Sequence, residues 1–284
     1  MKLFAVNAGN FKLDGGAMHG VVPKSMWEKK NPADENNMCS WAMRCLLIDT
    51  GEKRILIDCG MGDKQDLKFF SRYYLHGNDT IERSLAKHGY TTQDIDELFL
   101  SHLHFDHAGG AIMKDDAEQL VPTFPKALYW SDKLHWKTAT FPNEREKASF
   151  LKENILPIQE SGKLNFVESY DGGEWLYKIK IRFMKGHTES MMLPLIPYKN
   201  THVLFCADLF PSAAHISLPW VMAYDMQPKE TLKEKEEILK LAADNRWILF
   251  FEHDPHIECA TVQHTEKGIQ IKNTFSLEAI DTYL

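Results

Sequence analysis

Residues 98–110 read LFLSHLHFDHAGG. A short apolar run, Leu98 to Leu100, is followed at once by His102, His104, Asp106 and His107. Three imidazoles and a carboxylate within six residues make a dense set of borderline metal ligands. Gly109 and Gly110 then allow close backbone packing, as a strand-to-helix turn around a metal requires.

Working outward, three more apolar runs end on the same kinds of side chain. Residues 178–184 alternate, with Ile179, Ile181 and Phe183 facing one way and Lys178, Lys180 and Arg182 the other, and lead to Gly186-His187. Strand 202–207 ends at Asp208 and strand 247–251 at His253. Side chains at strand ends are held by a rigid sheet, while the loops beyond them can shape a pocket. Four candidate ligand positions scattered in sequence thus share one structural setting.

The remaining chain alternates strand and helix signals. Residues 2–6 read as a first strand and Asn7–Gly20 as a glycine-rich loop. Pro23–Ser40 is long, polar and without a period, which predicts a surface loop near the site. Runs 43–49 and 54–58 flank Thr50-Gly51-Glu52-Lys53, a hairpin signal, and the second ends in Asp58-Cys59-Gly60. Asp79 with Glu82 reads as a capping box opening a helix that stops at Gly89. A strand is expected at 127–130, and a helix at 144–155 ended by Pro157. Further strands fall at 191–197, a charged helix at 228–243, and a final hairpin at 260–265 and 269–273. No repeat or low-complexity linker interrupts residues 1–284, so one domain is expected.

The motif HLHFDH, the isolated Gly186-His187, and Asp208 and His253 after apolar strands resemble the metallo-β-lactamase superfamily. That resemblance implies an α/β fold: an αββα sandwich of two mixed β-sheets flanked by helices, with metals at one edge. It implies that His102, His104 and His187 hold one metal and Asp106, His107 and His253 the other, with Asp208 bridging. Asp58 would steady the ligand loop as an acceptor, or else is a turn-forming residue before Gly60. A ligand set without thiolate suits two Zn²⁺ ions, with Fe²⁺ or Mn²⁺ as alternatives. A hydroxide shared by two such metals can attack a carbonyl or phosphoryl centre, with Asp106 orienting it or relaying a proton.

The segment HFDHAGG is especially similar to the N-acyl-homoserine lactonases, which implies opening of a lactone or a related ester. Those enzymes carry a tyrosine three residues after the bridging aspartate, where this chain has Pro211, and read GHTPGH where it has GHTESM. The carbonyl-stabilising role therefore falls to His215 or Tyr224 as candidates. The stretch 208–225, DLFPSAAHISLPWVMAYD, reads as an apolar pocket wall, with Trp220 and Met222 joined by Met18, His19 and Phe105. Trp27 and Phe70 are candidates for its entrance, although an aromatic surface there suits a homodimer interface equally well. Histidines 76, 88, 135, 202, 256 and 264 read as structural or solvated, on loops or element surfaces.

Composition bounds the alternatives. A net charge of −7 provides no global positive field for nucleic acid or anionic membranes. No apolar stretch approaches the roughly 20 residues of a membrane span, and the N-terminus lacks a secretory core. Five cysteines without CxxC spacing read as buried thiols, which suits a cytoplasmic location. Phosphotriester or phosphodiester cleavage at the same centre, and a non-catalytic metal-binding sensor, are the competing functions.

Overall fold

The computed structural model describes all 284 residues. Fifteen strands form: β1 (Lys2–Asp14), β2 (Met38–Asp49), β3 (Arg54–Ile57), β4 (Glu97–Phe99), β5 (Ile112–Lys114), β6 (Leu120–Pro122), β7 (Leu128–Ser131), β8 (Leu164–Phe166), β9 (Gly173–Glu174), β10 (Lys180–Met184), β11 (Met191–Tyr198), β12 (Thr201–Phe205), β13 (Ile248–Phe250), β14 (Cys259–Thr265) and β15 (Gly268–Phe275). The α-helices are α1 (Gly15–His19), α2 (Lys24–Trp27), α3 (Leu67–Phe70), α4 (Ile81–Lys87), α5 (Phe105–Ala108), α6 (Lys133–Thr140), α7 (Lys152–Glu160) and α8 (Pro228–Asn245). A six-stranded sheet runs in the order β1-β2-β3-β4-β7-β8, a seven-stranded sheet in the order β15-β14-β13-β12-β11-β10-β9, and β5-β6 stand as a separate pair. Both large sheets are mixed: β3-β4-β7-β8 are parallel beside antiparallel β2-β3, and β12-β13 is the one parallel pair among antiparallel neighbours in the second.

Contacts group the chain into two compact units, residues 1–9 with 43–169 and residues 10–42 with 170–284. In the first, Leu47, Leu56, Leu98 and Tyr129 from four strands pack with Leu85, Ile155 and Ile158 from two helices in one buried cluster. In the second, Val203, Leu204, Phe205, Ile248, Leu249 and Phe250 from the parallel pair are fully or nearly fully buried. Burial of both faces explains why these strands read as unbroken apolar runs.

Several local expectations are corrected. β1 continues through Asn7 to Asp14, because Gly9 serves as an irregularity within the strand (φ +121°) instead of ending it. Thr80, not Asp79, caps α4 by accepting from Arg83 N at 3.3 Å, while Asp79 accepts from Asn7 Nδ2 at 3.2 Å. The helix expected at 144–155 begins only at Lys152 and carries Pro157 inside it, so the proline removes one N–H without ending the helix. The alternation in β10 fails at Arg182, which is buried because Asp171 and Glu237 neutralise its guanidinium at 2.9 and 2.6 Å. All five cysteines are free and buried.

Candidate metal centre

In the first unit, β4 ends at Phe99 and the chain enters the turn His102–His104 before α5. Two backbone hydrogen bonds fasten this turn to the exit of β3: Cys59 N to His107 O at 2.9 Å, and Gly110 N to Gly60 O at 2.8 Å. The packing demands glycine: a Cβ on Gly110 would lie 2.2 Å from the Cys59 carbonyl oxygen, and one on Gly109 2.2 Å from that of Met61. Lys64, itself buried, donates to the Gly109 carbonyl, and desolvation lowers its ammonium to about 8.

Asp58 sits beneath this turn with no exposure. Its Oδ1 accepts from Ser101 N at 2.7 Å, and its Oδ2 accepts from Ser101 Oγ at 2.5 Å and from His107 Nδ1 at 3.1 Å. Since the Ser101 hydroxyl donates to the carboxylate, it can only accept from His102 Nδ1, 3.1 Å away. Asp58 thereby fixes two tautomers, one directly and one through Ser101, and each leaves Nε2 with its lone pair outward. His102 Nε2 lies 3.1 Å from His104 Nδ1, and Asp106 Oδ2 lies 3.8 Å from His107 Nε2. Asp58 also takes the left-handed turn conformation, at φ +58°.

In the second unit, the loop after β10 delivers His187, the turn after β12 delivers Asp208, and the exit of β13 delivers His253. His187 Nδ1 is 2.9 Å from Asp225 Oδ1. His253 Nδ1 donates to the Ala42 carbonyl at 2.7 Å, and Ala42 N returns a bond to the His253 carbonyl at 3.1 Å. The remaining nitrogens converge on Asp208: His187 Nε2 at 3.2 Å from Oδ2, and His253 Nε2 at 3.1 Å from Oδ1. For His253 the consequence is specific. A carbonyl only accepts, so Nδ1 carries the proton, and the Nε2 lone pair of a neutral ring then faces a carboxylate oxygen. Two acceptors at that distance repel unless positive charge joins them, and a divalent cation is the charge for which imidazole and carboxylate are suited. The donor set therefore fits metal, and the histidine and aspartate groups of both units are of a kind that could hold ions.

The substrate-side candidates differ in how far the fold buries and uses them. His215 is fully committed: Nε2 donates to the Met18 carbonyl at 2.9 Å and Nδ1 accepts from Ser212 Oγ at 2.8 Å. Burial pushes its imidazole down to about 3, so it is neutral and has no N–H left for a substrate oxygen. Tyr224 is 39% exposed, whereas Met18 and Met222 are buried. Trp27 is not at an entrance; it is buried and stacks on His19 with ring centroids 5.2 Å apart. His19 continues the stack onto His215 at 5.0 Å, with Trp220 edge-on at 5.4 Å. Phe105, between two ligand candidates, packs on Phe69 and Tyr73.

Sequence reasoning missed Asp225 and Ser101, and placed the structural His135 on a loop or surface. His135 is buried and not on a surface; its Nε2 accepts from Leu103 N at 2.8 Å, steadying the turn between His102 and His104. Asp225 closes an otherwise apolar stretch, and that isolation was its one available signal.

The family model for the metallo-beta-lactamase superfamily matches residues 44–253, and the chain belongs to that superfamily. An N-acyl homoserine lactonase of Bacillus cereus is 31% identical over 266 residues, covering 89% of this chain and 93% of the relative. The crystal structure of a probable metal-dependent hydrolase from Staphylococcus aureus superposes with a TM-score of 0.86 at 30% identity, covering 96% of each chain. AidC, a dizinc quorum-quenching lactonase in complex with a product, shares the fold at a TM-score of 0.76 and 24% identity, covering 96% of this chain and 95% of its own. The protein has the metallo-β-lactamase fold and is a metal-dependent hydrolase related at low identity to lactonases.

Proposed function

We propose that this hydrolase opens lactones, or cleaves closely related esters, with two Zn²⁺ ions. The observation that carries the metal part is the pair of imidazole nitrogens turned on the two oxygens of Asp208. The lactonase relative of Bacillus cereus supports the substrate class. In this reading His102, His104 and His187 hold one ion, Asp106, His107 and His253 the other, and Asp208 both. Bound there, the metals would supply an activated water at neutral pH and polarise the carbonyl under attack.

The protein's own groups do the rest. Asp58, Asp225 and the Ala42 carbonyl hold ring protons on Nδ1, so every anchored imidazole presents Nε2. Asp106 would orient the attacking water, or take its proton and return it to the leaving oxygen. Because the product of lactone opening is an acid, proton release from the zinc-loaded protein over lactones of varied acyl length, aryl esters and phosphotriesters is the direct test. Lactone turnover that His104→Ala lacks is the expected result; turnover of phosphotriesters alone would replace the proposal with the competing one, and two bound metals without turnover would favour a sensor.

A further inference from the structure

The substrate carbonyl needs a donor where negative charge develops; of the two candidates read from the sequence, Tyr224 is 39% exposed and His215 is ruled out by the bonds it already makes. Pro211, standing where the lactonases carry a tyrosine, has no side-chain donor and no N–H to offer. His215 uses both nitrogens inside the fold. The geometry points to Tyr73 as a catalytic residue whose phenol O–H donates a hydrogen bond to the carbonyl oxygen of the bond being cut. This inference rests on the hydrolytic reading above.

Tyr73 follows α3, in a turn that begins where Asp66 caps the helix by accepting from Phe69 N at 2.7 Å. Its ring lies 4.7 Å from that of Phe105 and 5.0 Å from that of Phe69, while Phe69 meets Phe105 edge-on at 5.5 Å. Phe105 is the residue between His104 and Asp106, so this aromatic triangle seats Tyr73 directly against the ligand turn. The ring is half-buried. Its hydroxyl makes no hydrogen bond within the protein, whereas the buried Tyr129 hydroxyl meets three backbone groups. A phenol held by its ring, with its polar end uncommitted, is a preorganised donor, since ordering it costs nothing at the moment of reaction. Burial first, and then the charge of Asp106, push its phenol pKa up from the ordinary tyrosine value, so it stays protonated and able to donate through neutral pH. The proton remains on Tyr73 throughout; the hydrogen bond shortens as the carbonyl oxygen becomes anionic.

The test compares zinc-loaded wild type with Tyr73→Phe, which keeps the ring and its packing on Phe105. Metal content, lactone kinetics and calorimetric binding of the ring-opened N-hexanoyl-homoserine are measured together. Expected are two metals in both proteins, a kcat lower by about tenfold to a hundredfold with little change in KM, and weaker binding of the product carboxylate. Unchanged kcat and unchanged product affinity at full metal content would overturn the inference while leaving the hydrolytic reading intact. Loss of metal from Tyr73→Phe would also overturn it, since the residue would then act only through the ligand turn. A wild type that neither opens lactones nor binds the product would remove the hydrolytic reading and this inference with it.

Discussion

Asp58 shows how much one carboxylate can organise. Through His107 and through Ser101 it sets the proton position on two imidazoles. Asp58→Ala is expected to lower metal affinity by roughly 10- to 100-fold, as loss of such a partner typically does, and competition with a chromophoric chelator would measure it. His19 gives a second prediction. It is fully buried, neither ring nitrogen has a hydrogen-bond partner, and burial lowers it to about 4. Between pH 6.5 and 4 the unfolded chain thus binds a proton there that the folded chain refuses, so stability falls as pH falls through that window. Denaturant titrations at both pH values should give a smaller acid loss for His19→Phe, the difference being on the order of 3 kcal/mol. The ligand candidates themselves were legible because metals demand few residue types. Of their orienting partners only Asp58 was legible, since a carbonyl such as Ala42 leaves no trace in side-chain identity.

At the level of elements, the ligand turn is a backbone structure before it is a side-chain one. Gly110→Ala would drive a methyl into the Cys59 carbonyl. A loss of about 1–3 kcal/mol in thermal or denaturant unfolding is expected, with reduced metal content. Lys235 on α8 plays a similar part elsewhere: its buried Nζ donates to the carbonyls of Ser217, Leu218 and Trp220 at 2.9, 3.1 and 2.7 Å. Lys235→Met should free the 217–220 segment, read out as faster amide exchange there while β12 and β13 stay protected. Periodicity located most strands and α8 because their buried faces are continuous. It failed where one residue carries two meanings: Gly9 was read as a loop yet sits in a strand, and Pro157 was read as a stop yet lies inside α7. Arg182 failed differently, because its burial depends on acids distant in sequence.

For the molecule as a whole, metal is expected to be part of the folding free energy. If only the folded chain binds it, free metal at a hundredfold above its Kd adds about 3 kcal/mol, so a chelator should lower the unfolding midpoint and zinc should restore it. A midpoint indifferent to chelator would contradict the metal reading at this scale. Fold class was legible at this scale through the family resemblance that HLHFDH, Gly186-His187, Asp208 and His253 carry. The division into two compact units was not, because each is assembled from separated segments.

The bond pair between Ala42 and His253 spans most of the chain's length. During synthesis, the early ligand candidates, from His102 to His107, leave the ribosome well before His253, the last of them, exists. A nascent chain can meet cellular metal with half a coordination set, when weaker and less selective binding is all it can offer. Metal supply late in expression, and not at its start, is therefore expected to govern the ion recovered, which metal analysis after timed addition of zinc or manganese would check.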